Sequence, residues 1–319
     1  MSKIKFLVTG GAGFIGSNIV SELLKSGHYV RVLDNFSSGK RENLKGLESD
    51  IDLIEGDIRS YHIVQQAVKG IEVVLHQAAL PSVPRSIKDP ITTNDVNVNG
   101  TLNILEASVG SGVRRVVYAS SSSVYGDNPE LPKHENMLPN PLSPYAVSKL
   151  AGEKYCTVFS RLFELETVAL RYFNVFGPNQ DPYSQYSAVI PRFIKAIMND
   201  IPPKIFGDGE QSRDFTYVSN VINANILAST SRCDSGISLN CACHGNITLN
   251  QLVGCINEYL GKRIEPEYLP PRAGDIKHSY ADINLAKEKI DYNPGIDFQT
   301  GLKLTIESFA EKFEKQEYR

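Results

Sequence analysis

Short apolar runs alternate with amphipathic stretches through the first half of the chain. The apolar runs, rich in Val, Ile and Leu, lie at residues 4–9, 29–34, 52–55, 72–77, 115–120 and 167–172. Continuous runs of this length are typical of parallel strands buried on both faces. Between them, segments 15–25, 97–109 and 145–162 repeat apolar residues at helical spacing. The alternation predicts an α/β fold, a Rossmann-like doubly wound parallel sheet with right-handed crossovers.

The pattern changes after Gly177. Residues 178–182 read Pro-Asn-Gln-Asp-Pro, and proline pairs at 202–203 and 270–271 interrupt the sequence that follows. Helices are predicted at residues 187–198, 219–229 and 249–260, and from residue 300 onward.

We therefore expect residues 1–177 to form the sheet domain, joined by parts of 214–242. Residues 178–319 are expected to form mainly a smaller C-terminal lobe. Such a lobe would lie beside the carboxyl edge of the sheet, where doubly wound folds bind their ligands.

Composition narrows the class of protein without identifying it. Of the 319 residues, 41% are hydrophobic and 22% charged, and the net charge of −3 argues against a general nucleic-acid binder. The apolar stretch at 6–8 is too short for a signal peptide, and no segment predicts a membrane span, so we expect a cytoplasmic protein. The cysteines, among them Cys241 and Cys243, lack zinc-site spacing; we expect free thiols and no metal.

A glycine-rich motif follows the first predicted strand and opens the first helix. Gly10, Gly11, Gly13 and Gly16 satisfy both GxxGxxG and GxGxxG. Such glycines permit a tight turn and let the backbone approach a pyrophosphate, although glycine turns also serve purely structural needs. Asp34 ends the second strand about 20 residues further on, where a carboxylate would bind ribose hydroxyls and repel a 2′-phosphate.

Lys40 and Arg41 leave a competing interpretation open, since two cations near Asp34 would attract a 2′-phosphate. They are also compatible with a solvated loop. Further strand ends add modest support for a cofactor cleft, although small residues there also suit helix–sheet packing. These strand ends are Asp57 and Ile58 after the third strand, and Gln77, Ala78, Ala79 and Leu80 after the fourth.

A candidate reactive group lies after the fifth strand and at the start of the next helix. Tyr145 and Lys149 are four residues apart and share one helix face. A nearby ammonium, like a positive nicotinamide ring, would favour the phenolate and lower the pKa of the tyrosine. Taken alone the pair is compatible with an ordinary amphipathic helix. The serines at 120–123, which end a buried strand, supply a hydroxyl partner and strengthen the catalytic interpretation.

With these motifs in this order, the chain resembles the extended short-chain dehydrogenase/reductase family over nearly its whole length. It is similar in particular to the NAD-dependent sugar-nucleotide 4-epimerases, and most of all to bacterial UDP-N-acetylglucosamine 4-epimerases. The segments 33–35, 56–59, 143–145, 171–175, 212–215 and 272–275 also carry the resemblance.

The resemblance implies roles for named residues. Ser121, Tyr145 and Lys149 would be catalytic. NAD would be held by Gly10, Gly11, Gly13, Phe14, Ile15, Gly16, Asp34, Asn35, Phe36, Ser37, Ser38, Gly39, Asp57, Ile58, Gln77, Ala78, Ala79, Leu80, Tyr145, Lys149 and Phe173, the last closing over the nicotinamide. A UDP-sugar substrate would contact Ser82, Ser121, Ser122, Tyr145, Asn174, Gln180, Ala188, Val189, Phe193, Arg213, Arg272, Asp275 and Ser279.

The implied reaction is hydride transfer from the sugar C4 to NAD⁺ and back to its opposite face, through a 4-keto sugar. Arg213 and Arg272 would grip the diphosphate, and Asp275 the uridine ribose; a surface pairing of each arginine with its acidic neighbour is the simpler alternative. Ser279 stands where glucose-restricted epimerases carry tyrosine, which leaves room for a 2-acetamido group. A shift of one residue would put Tyr280 there instead.

Competing functions remain open at this level. Related dehydratases and decarboxylases carry an acidic residue where this chain has Ser122 and Ser123, which favours epimerisation. A UDP-uronate epimerase would need a cation near the sugar C6, and Arg85 is a candidate. A non-catalytic NAD-sensing regulator is the alternative from another class. The resemblance also implies a homodimer joined through the helices at 97–109 and 145–162 as a four-helix bundle.

Overall fold

The computed structural model describes residues 3–181, 188–271 and 277–314. The strands are β1 (Lys5–Thr9), β2 (Tyr29–Asp34), β3 (Ile51–Glu55), β4 (Val73–His76), β5 (Arg115–Ser121), β6 (Glu166–Tyr172), β7 (Val175–Phe176), β8 (Lys204–Phe206), β9 (Ser212–Arg213), β10 (Thr216–Tyr217), β11 (Ile237–Cys241), β12 (Ile247–Thr248), β13 (Glu267–Leu269) and β14 (His278–Ser279). The helices are α1 (Phe14–Lys25), α2 (Tyr61–Val68), α3 (Val83–Lys88), α4 (Pro90–Asn94), α5 (Gly100–Gly110), α6 (Pro144–Leu162), α7 (Val189–Met198), α8 (Val218–Thr230), α9 (Leu249–Leu260), α10 (Asn284–Ile290) and α11 (Phe298–Glu314).

The main sheet has seven parallel strands in the order β11-β6-β5-β4-β1-β2-β3. This is a doubly wound order that reverses between β1 and β4, where such sheets open a ligand crevice. The predicted fold class is confirmed, and each predicted strand is present with its ends displaced by at most one residue.

Both faces of this sheet are packed with apolar side chains, which explains why its strands read as continuous apolar runs. Alternate residues of β1 belong to different clusters: Phe6 and Val8 face α1 and α8, whereas Leu7 faces α2 and α5. Because the strands are buried on both faces, their carboxyl ends are the part of the sheet that a ligand can reach.

The helix predicted at 97–109 is longer in the structure. α4 begins at Pro90, and the chain continues through a π-helical turn (Asp95–Asn99) into α5. Pro90 occupies the first turn, and the Asp89 side chain accepts a hydrogen bond from the Thr92 N–H at 3.0 Å. The threonine-rich sequence of α4 hides this helix from a periodicity search, because β-branched residues favour strands.

The remaining elements build a smaller assembly around α7, α9 and α11, with a core of its own that includes Phe176, Phe193 and Phe309. Its strands are only two or three residues long, in three small sheets. α8 and β11 belong to the main sheet instead: β11 pairs in parallel with β6, and α8 packs on α1 and β5. The chain therefore crosses between the two parts more than once.

Within the described ranges, no helix combines the length and apolar character needed to cross a bilayer. The same ranges hold no cluster of three His, Cys, Asp or Glu side chains suited to a metal ion. All five cysteines are free thiols; Cys241 is buried and Cys243 half-buried.

Candidate active site

The glycine motif forms a turn that only glycine fits. Gly10 has a φ of 67°, and a Cβ there would lie 2.8 Å from the Ala78 backbone. A Cβ on Gly16 would lie 2.1 Å from the Gly10 carbonyl oxygen. Gly13 is the N-cap of α1 and supplies no side-chain hydrogen bond to its first turn, which also lacks acidic residues. The start of α1, with Phe14 and Ile15, therefore fits the pyrophosphate of a dinucleotide.

Asp34 lies directly beside this turn. Its carboxylate accepts hydrogen bonds from the main-chain N–H groups of Ala12 at 2.9 Å and Phe36 at 2.8 Å. Burial raises the pKa of Asp34, and the two hydrogen bonds oppose that shift. A Cβ on Gly39 would lie 3.0 Å from the carboxylate, so the segment 35–39, which includes Ser37 and Ser38, folds closely against it. The residues present fit an adenosine ribose.

The two cations that raised the 2′-phosphate alternative are engaged by carboxylates. Lys40 Nζ lies 2.8 Å from Asp181, and an Arg41 nitrogen lies 2.5 Å from Glu55. The Arg41 guanidinium also lies over the Phe36 ring, 4.1 Å from its centroid. Their charges are therefore compensated within the protein, which favours the unphosphorylated dinucleotide.

Asp57 and Ile58 follow β3, but their side chains are held by protein contacts. Asp57 accepts hydrogen bonds from Asn35 and Arg59, and chiefly the Arg59 bond lowers the pKa of Asp57 to about 2. Ile58 is buried against Gly100. Asp57 therefore gives the cleft a fixed negative charge, and Ile58 gives it an apolar wall.

The end of β4 reaches the cleft chiefly through its backbone. The Gln77 side chain bonds Tyr172 and Asn225, so its amide is turned toward α8. The Ala78 N–H donates to the Thr9 hydroxyl at 3.2 Å, and Ala79 follows it. Leu80 lies further along, where its N–H donates to the Asn97 side chain at 2.8 Å.

Three predicted catalytic residues meet at the carboxyl end of β5. Ser121 ends this strand, and Tyr145 lies in the first turn of α6, where Ser143 caps the helix. The Ser121 side chain is close enough to the Tyr145 phenol to act on its pKa, and the Ser121 hydroxyl accepts a hydrogen bond from the Ser123 N–H at 3.2 Å. Lys149 lies one turn later, with its Nζ 6.0 Å from the Tyr145 ring and 2.8 Å from the Ala119 carbonyl oxygen.

Burial dominates the electrostatics of this group. It raises the pKa of Tyr145, and the interaction with the Ser121 side chain only partly opposes that shift. It also lowers the pKa of Lys149 to about 7. A further positive charge in the site would favour the phenolate of Tyr145 and oppose the effect of burial on its pKa.

A buried ion pair that the sequence did not reveal supports the group from behind. Glu153, one turn beyond Lys149, pairs with Arg171 of β6 at 2.8 Å and accepts a hydrogen bond from Ser120 at 2.5 Å. Arg171 also donates to the Tyr125 hydroxyl at 2.9 Å. The sequence signal that could have revealed Glu153 is its position on the same helix face as Tyr145 and Lys149.

A cleft of about 300 Å³ opens where α7 meets the small strands. Its lining contains the predicted substrate residues Asn174, Ala188, Val189, Phe193 and Arg213. It also contains Lys204, Phe206, Gln211, Phe215 and Leu249, which the sequence did not single out. Pockets for ligands of nucleotide size start at about this volume.

Strand register shows which residue near the end of β14 lies on the same face as Arg213. Ser279 pairs in parallel with Arg213, so the two side chains lie on the same face of their sheet. Tyr280 lies on the opposite face, and its ring centroid is 6.2 Å from that of His244. The predictions for Arg272 and Asp275 fall outside the described residues.

Other predicted substrate residues are partly committed to the fold. The Ser82 hydroxyl caps α3 by accepting the Arg85 N–H at 3.1 Å. Ser122 is half-buried and begins a 3₁₀ turn (Ser122–Tyr125). Gln180 donates to the Val175 carbonyl oxygen at 3.2 Å, and among the described residues its own buried side-chain oxygen has no hydrogen-bond partner.

Phe173, predicted to close over the nicotinamide, lies in a buried core. The residue is 0% exposed, and its ring packs 6.1 Å from that of Tyr125 in a cluster with Val124 and Ala281. It presents no surface to the cleft, so the structure gives no support to a contact between this ring and a nicotinamide.

A doubly wound sheet with a dinucleotide turn and a Ser–Tyr–Lys group at its carboxyl edge defines an enzyme of the short-chain dehydrogenase/reductase class. Comparison with known proteins makes the assignment specific. The chain belongs to the NAD dependent epimerase/dehydratase family, whose sequence pattern matches residues 6–242. NAD is its cofactor.

Individual relatives extend the similarity to the whole chain. The UDP-N-acetylglucosamine 4-epimerase of Methanobrevibacter ruminantium M1, solved in complex with UDP-N-acetylmuramic acid, is 42% identical, with a TM-score of 0.93 over 98% of this chain and 100% of that one. The UDP-glucose 4-epimerase of Mycolicibacterium smegmatis is 38% identical over 97% of this chain and 99% of its own. The UDP-glucuronic acid 4-epimerase of Bacillus cereus, solved with UDP-glucuronic acid and NAD, is 33% identical, with a TM-score of 0.90 over 97% and 99%.

Proposed function

We propose that this protein interconverts UDP-N-acetylglucosamine and UDP-N-acetylgalactosamine by epimerisation at C4, and that it also accepts UDP-glucose and UDP-galactose. The observation that carries the proposal is the placement of Ser121, Tyr145 and Lys149 together at the carboxyl end of β5, on the same side of the sheet as the dinucleotide turn. Hydroxyl chemistry next to a redox cofactor suits oxidation and reduction at one sugar carbon.

In this proposal Tyr145 takes the proton from the C4 hydroxyl as the phenolate and returns it when the other epimer forms. Ser121 donates a hydrogen bond to the sugar oxygen and orients it toward Tyr145. Lys149, as the ammonium, stabilises the phenolate through the buried site, where charges interact strongly. When bound, NAD⁺ supplies the hydride acceptor and donor for C4 and adds a positive charge near Tyr145.

The 300 Å³ cleft is the proposed site of the UDP moiety. Its lining is apolar at Val189 and Phe193, which suits a base, and cationic at Arg213, which suits a diphosphate. Arg272 and Asp275 are proposed as further contacts to the diphosphate and the ribose. A cavity with one apolar end and one cationic end fits a nucleotide better than a free sugar.

Ser279 supports the choice of an N-acetylated sugar. It lies on the same face as Arg213, whereas Tyr280 is turned to His244, so no tyrosine ring blocks this face at either position. Ser82, Ser122 and Gln180 are proposed polar contacts to the sugar. Ser122 and Ser123 in place of a carboxylate leave water elimination without its acid, which favours epimerisation over dehydration.

The test is incubation of the purified protein with UDP-N-acetylglucosamine, UDP-glucose and UDP-glucuronic acid in separate tubes without added NAD, followed by proton NMR of the anomeric signals. Formation of UDP-N-acetylgalactosamine supports the proposal in full. Conversion of UDP-glucose alone would contradict the N-acetyl preference, and conversion of UDP-glucuronic acid alone would make Arg85 the residue to study. If no tube shows conversion even after NAD is supplied, the remaining interpretation is a non-catalytic regulator that binds the cofactor.

We further propose a homodimer through a four-helix bundle built from α6 and the helix that runs from α4 to α5. Large apolar side chains are exposed along these helices: Ile91, Val147, Val158 and Leu162. On α6 they recur at spacings that place them on one stripe. Light scattering at micromolar concentration should give twice the chain mass of 35.2 kDa. A monomer at that concentration would contradict the dimer.

A further inference from the structure

A buried carboxylate with no role in the reaction lies directly behind the proposed nucleotide cleft. Asp214 follows Arg213 at the end of β9 and is 0% exposed. Its Oδ1 accepts a hydrogen bond from the Cys243 N–H at 3.0 Å, and its Oδ2 accepts one from the Ala281 N–H at 3.3 Å. The Gly245 main chain lies near the carboxylate and lowers its pKa. One side chain thus ties together two chain segments distant in sequence.

The main chain of Asp214 joins two further segments that carry proposed substrate residues. Its N–H donates to the Ser279 carbonyl oxygen at 2.9 Å. Its carbonyl oxygen accepts a hydrogen bond from the Asn174 side chain at 3.2 Å. Asn174 has a φ of 31°, an unusual conformation for a residue with a side chain.

The strands that Asp214 connects are too short to define their own position. β9 and β14 have two residues each, and neighbouring β12 also has two. Such strands make few ladder hydrogen bonds, and side-chain acceptors must supply the rest. Arg213 and Ser279 both belong to this small sheet.

We infer that Asp214 is a positioning residue for substrate binding: its carboxylate fixes the small sheet that presents Arg213 and Ser279 to the UDP-sugar. The inference rests on the proposed function, since it assigns Asp214 to the site that holds the substrate. Because its side chain is 0% exposed, Asp214 acts through Arg213 and Ser279 and not through direct contact with a ligand.

Its surroundings make the carboxylate sensitive to pH. Burial raises the pKa of Asp214 to about 6, while the hydrogen bonds from the main chain oppose that shift. The titratable groups that face it are the thiols of Cys241 and Cys243, the phenol of Tyr292 and the imidazole of His244. Burial raises the pKa of both thiols and of the phenol, which keeps them neutral at pH 6. Protonation of Asp214 replaces one acceptor with a donor and removes an anchor of the small sheet.

The variant that tests this is Asp214→Asn, which keeps the shape but sets a donor against one of the main-chain N–H groups. The matched control is Glu210→Gln, an exposed carboxylate in the adjoining turn whose partner is Asn250. Calorimetric titration with UDP at pH 7.5 should show about tenfold weaker binding for Asp214→Asn and unchanged binding for Glu210→Gln. The NAD content of both proteins should equal that of the wild type, because the dinucleotide turn lies on the main sheet.

Steady-state kinetics distinguishes a role of Asp214 in positioning the substrate site from a general role in the structure. With UDP-N-acetylglucosamine, whose diphosphate has no titration near pH 6, KM of the wild type should rise as pH falls from 7 to 5 while kcat changes less. In Asp214→Asn, KM should be about tenfold higher at pH 7 and nearly independent of pH. Equal UDP affinity in wild type and Asp214→Asn, or an unaltered pH profile of KM, would overturn the inference.

Failure of the inference is distinguishable from failure of the proposed function. If the wild type binds no UDP and converts no UDP-sugar, the function is wrong and Asp214 has no substrate site to position. If Asp214→Asn does not fold, the pH dependence of KM in the wild type alone decides: a profile flat between pH 5 and 7 contradicts the role of Asp214.

Discussion

The main sheet and the C-terminal assembly hold their functional residues by different physical means. In the sheet, Asp34 and Ser121 end strands of six and seven residues that are packed on both faces and paired along their length. In the C-terminal assembly, Arg213 and Ser279 lie on strands of two residues, whose position depends on side-chain bonds such as those of Asp214. The long, fully paired strands make the main sheet rigid, whereas the position of the short strands depends on a few individual contacts.

This difference matches the two tasks of the proposed enzyme. Proton and hydride transfer need fixed geometry, which the buried strands provide for the reacting groups. Substrate choice needs only a few side chains on a less constrained frame, so it changes with little effect on the chemistry. We expect substitutions at the sheet edge to abolish the reaction, and substitutions in the C-terminal assembly to redirect it.

The largest effect is expected for Tyr145→Phe. Removing the hydroxyl removes the proton acceptor, and general acid–base groups contribute about 10²- to 10⁴-fold to a rate. We expect kcat to fall by about that factor with NAD content unchanged, measured by NMR of product formation. Tyr155→Phe is the matched control, since Tyr155 lies on the same helix but packs against the core of the sheet. A Tyr145→Phe protein with more than a tenth of wild-type kcat would contradict the assigned role.

Glu153→Ala tests the rigidity of the sheet edge. The substitution leaves Arg171 buried without its carboxylate, and breaking a buried pair in this way costs about 3–5 kcal/mol. Urea unfolding should show that loss. Glu22→Ala, which removes an exposed pair with Lys25, should cost less than about 1 kcal/mol. Similar losses for the two variants would show that Glu153 is not a structural anchor.

Ser279→Tyr tests whether the C-terminal assembly selects the substrate. A ring on the face of Arg213 would occupy the space proposed for the 2-acetamido group, so kcat/KM for UDP-N-acetylglucosamine should fall by about 10- to 100-fold while that for UDP-glucose changes little. Ser279→Ala, which adds no bulk, is the control. Equal loss on both substrates would mean that Ser279 does not select the sugar.

A smaller effect comes from the charge of Lys149. Burial lowers the pKa of Lys149 in the folded protein to about 7, so between pH 7 and 10 the unfolded chain binds more protons at this site than the folded one. The contribution of Lys149 to the free energy of unfolding therefore rises with pH in that window, by about 1 kcal/mol per pH unit. The NAD-free protein should show this slope in urea unfolding. Lys149→Met should show less of it, and identical slopes in both proteins would contradict the assignment.

The sequence predicts the main sheet more completely than it predicts the C-terminal assembly. The strands of the main sheet were predictable because burial on both faces leaves a continuous apolar run. The dinucleotide turn and the Tyr145–Lys149 pair were predictable because each depends on local spacing. Glu153 had a visible signal, its position one turn after Lys149, but its partner Arg171 comes from another strand and no local pattern joins them.

The helices of the C-terminal assembly were predicted, but its short strands were not, and the reason is physical. Two-residue strands leave no periodicity, and the position of Arg213 depends on contacts between residues far apart in sequence, such as Asp214 with Ala281. Phe173 is a different case. The family resemblance implied that its ring closes over the nicotinamide, whereas the ring belongs to a small core formed with Tyr125 and Ala281.

The central claim is that one buried site removes the hydrogen at C4 and returns that same hydrogen to the opposite face. The most direct measurement is conversion of UDP-N-acetylglucosamine in D₂O without added NAD, followed by NMR at C4 of the product. The account predicts UDP-N-acetylgalactosamine that carries protium at C4, because the hydride never exchanges with solvent. Deuterium at C4, or no product even when NAD is supplied, would contradict it.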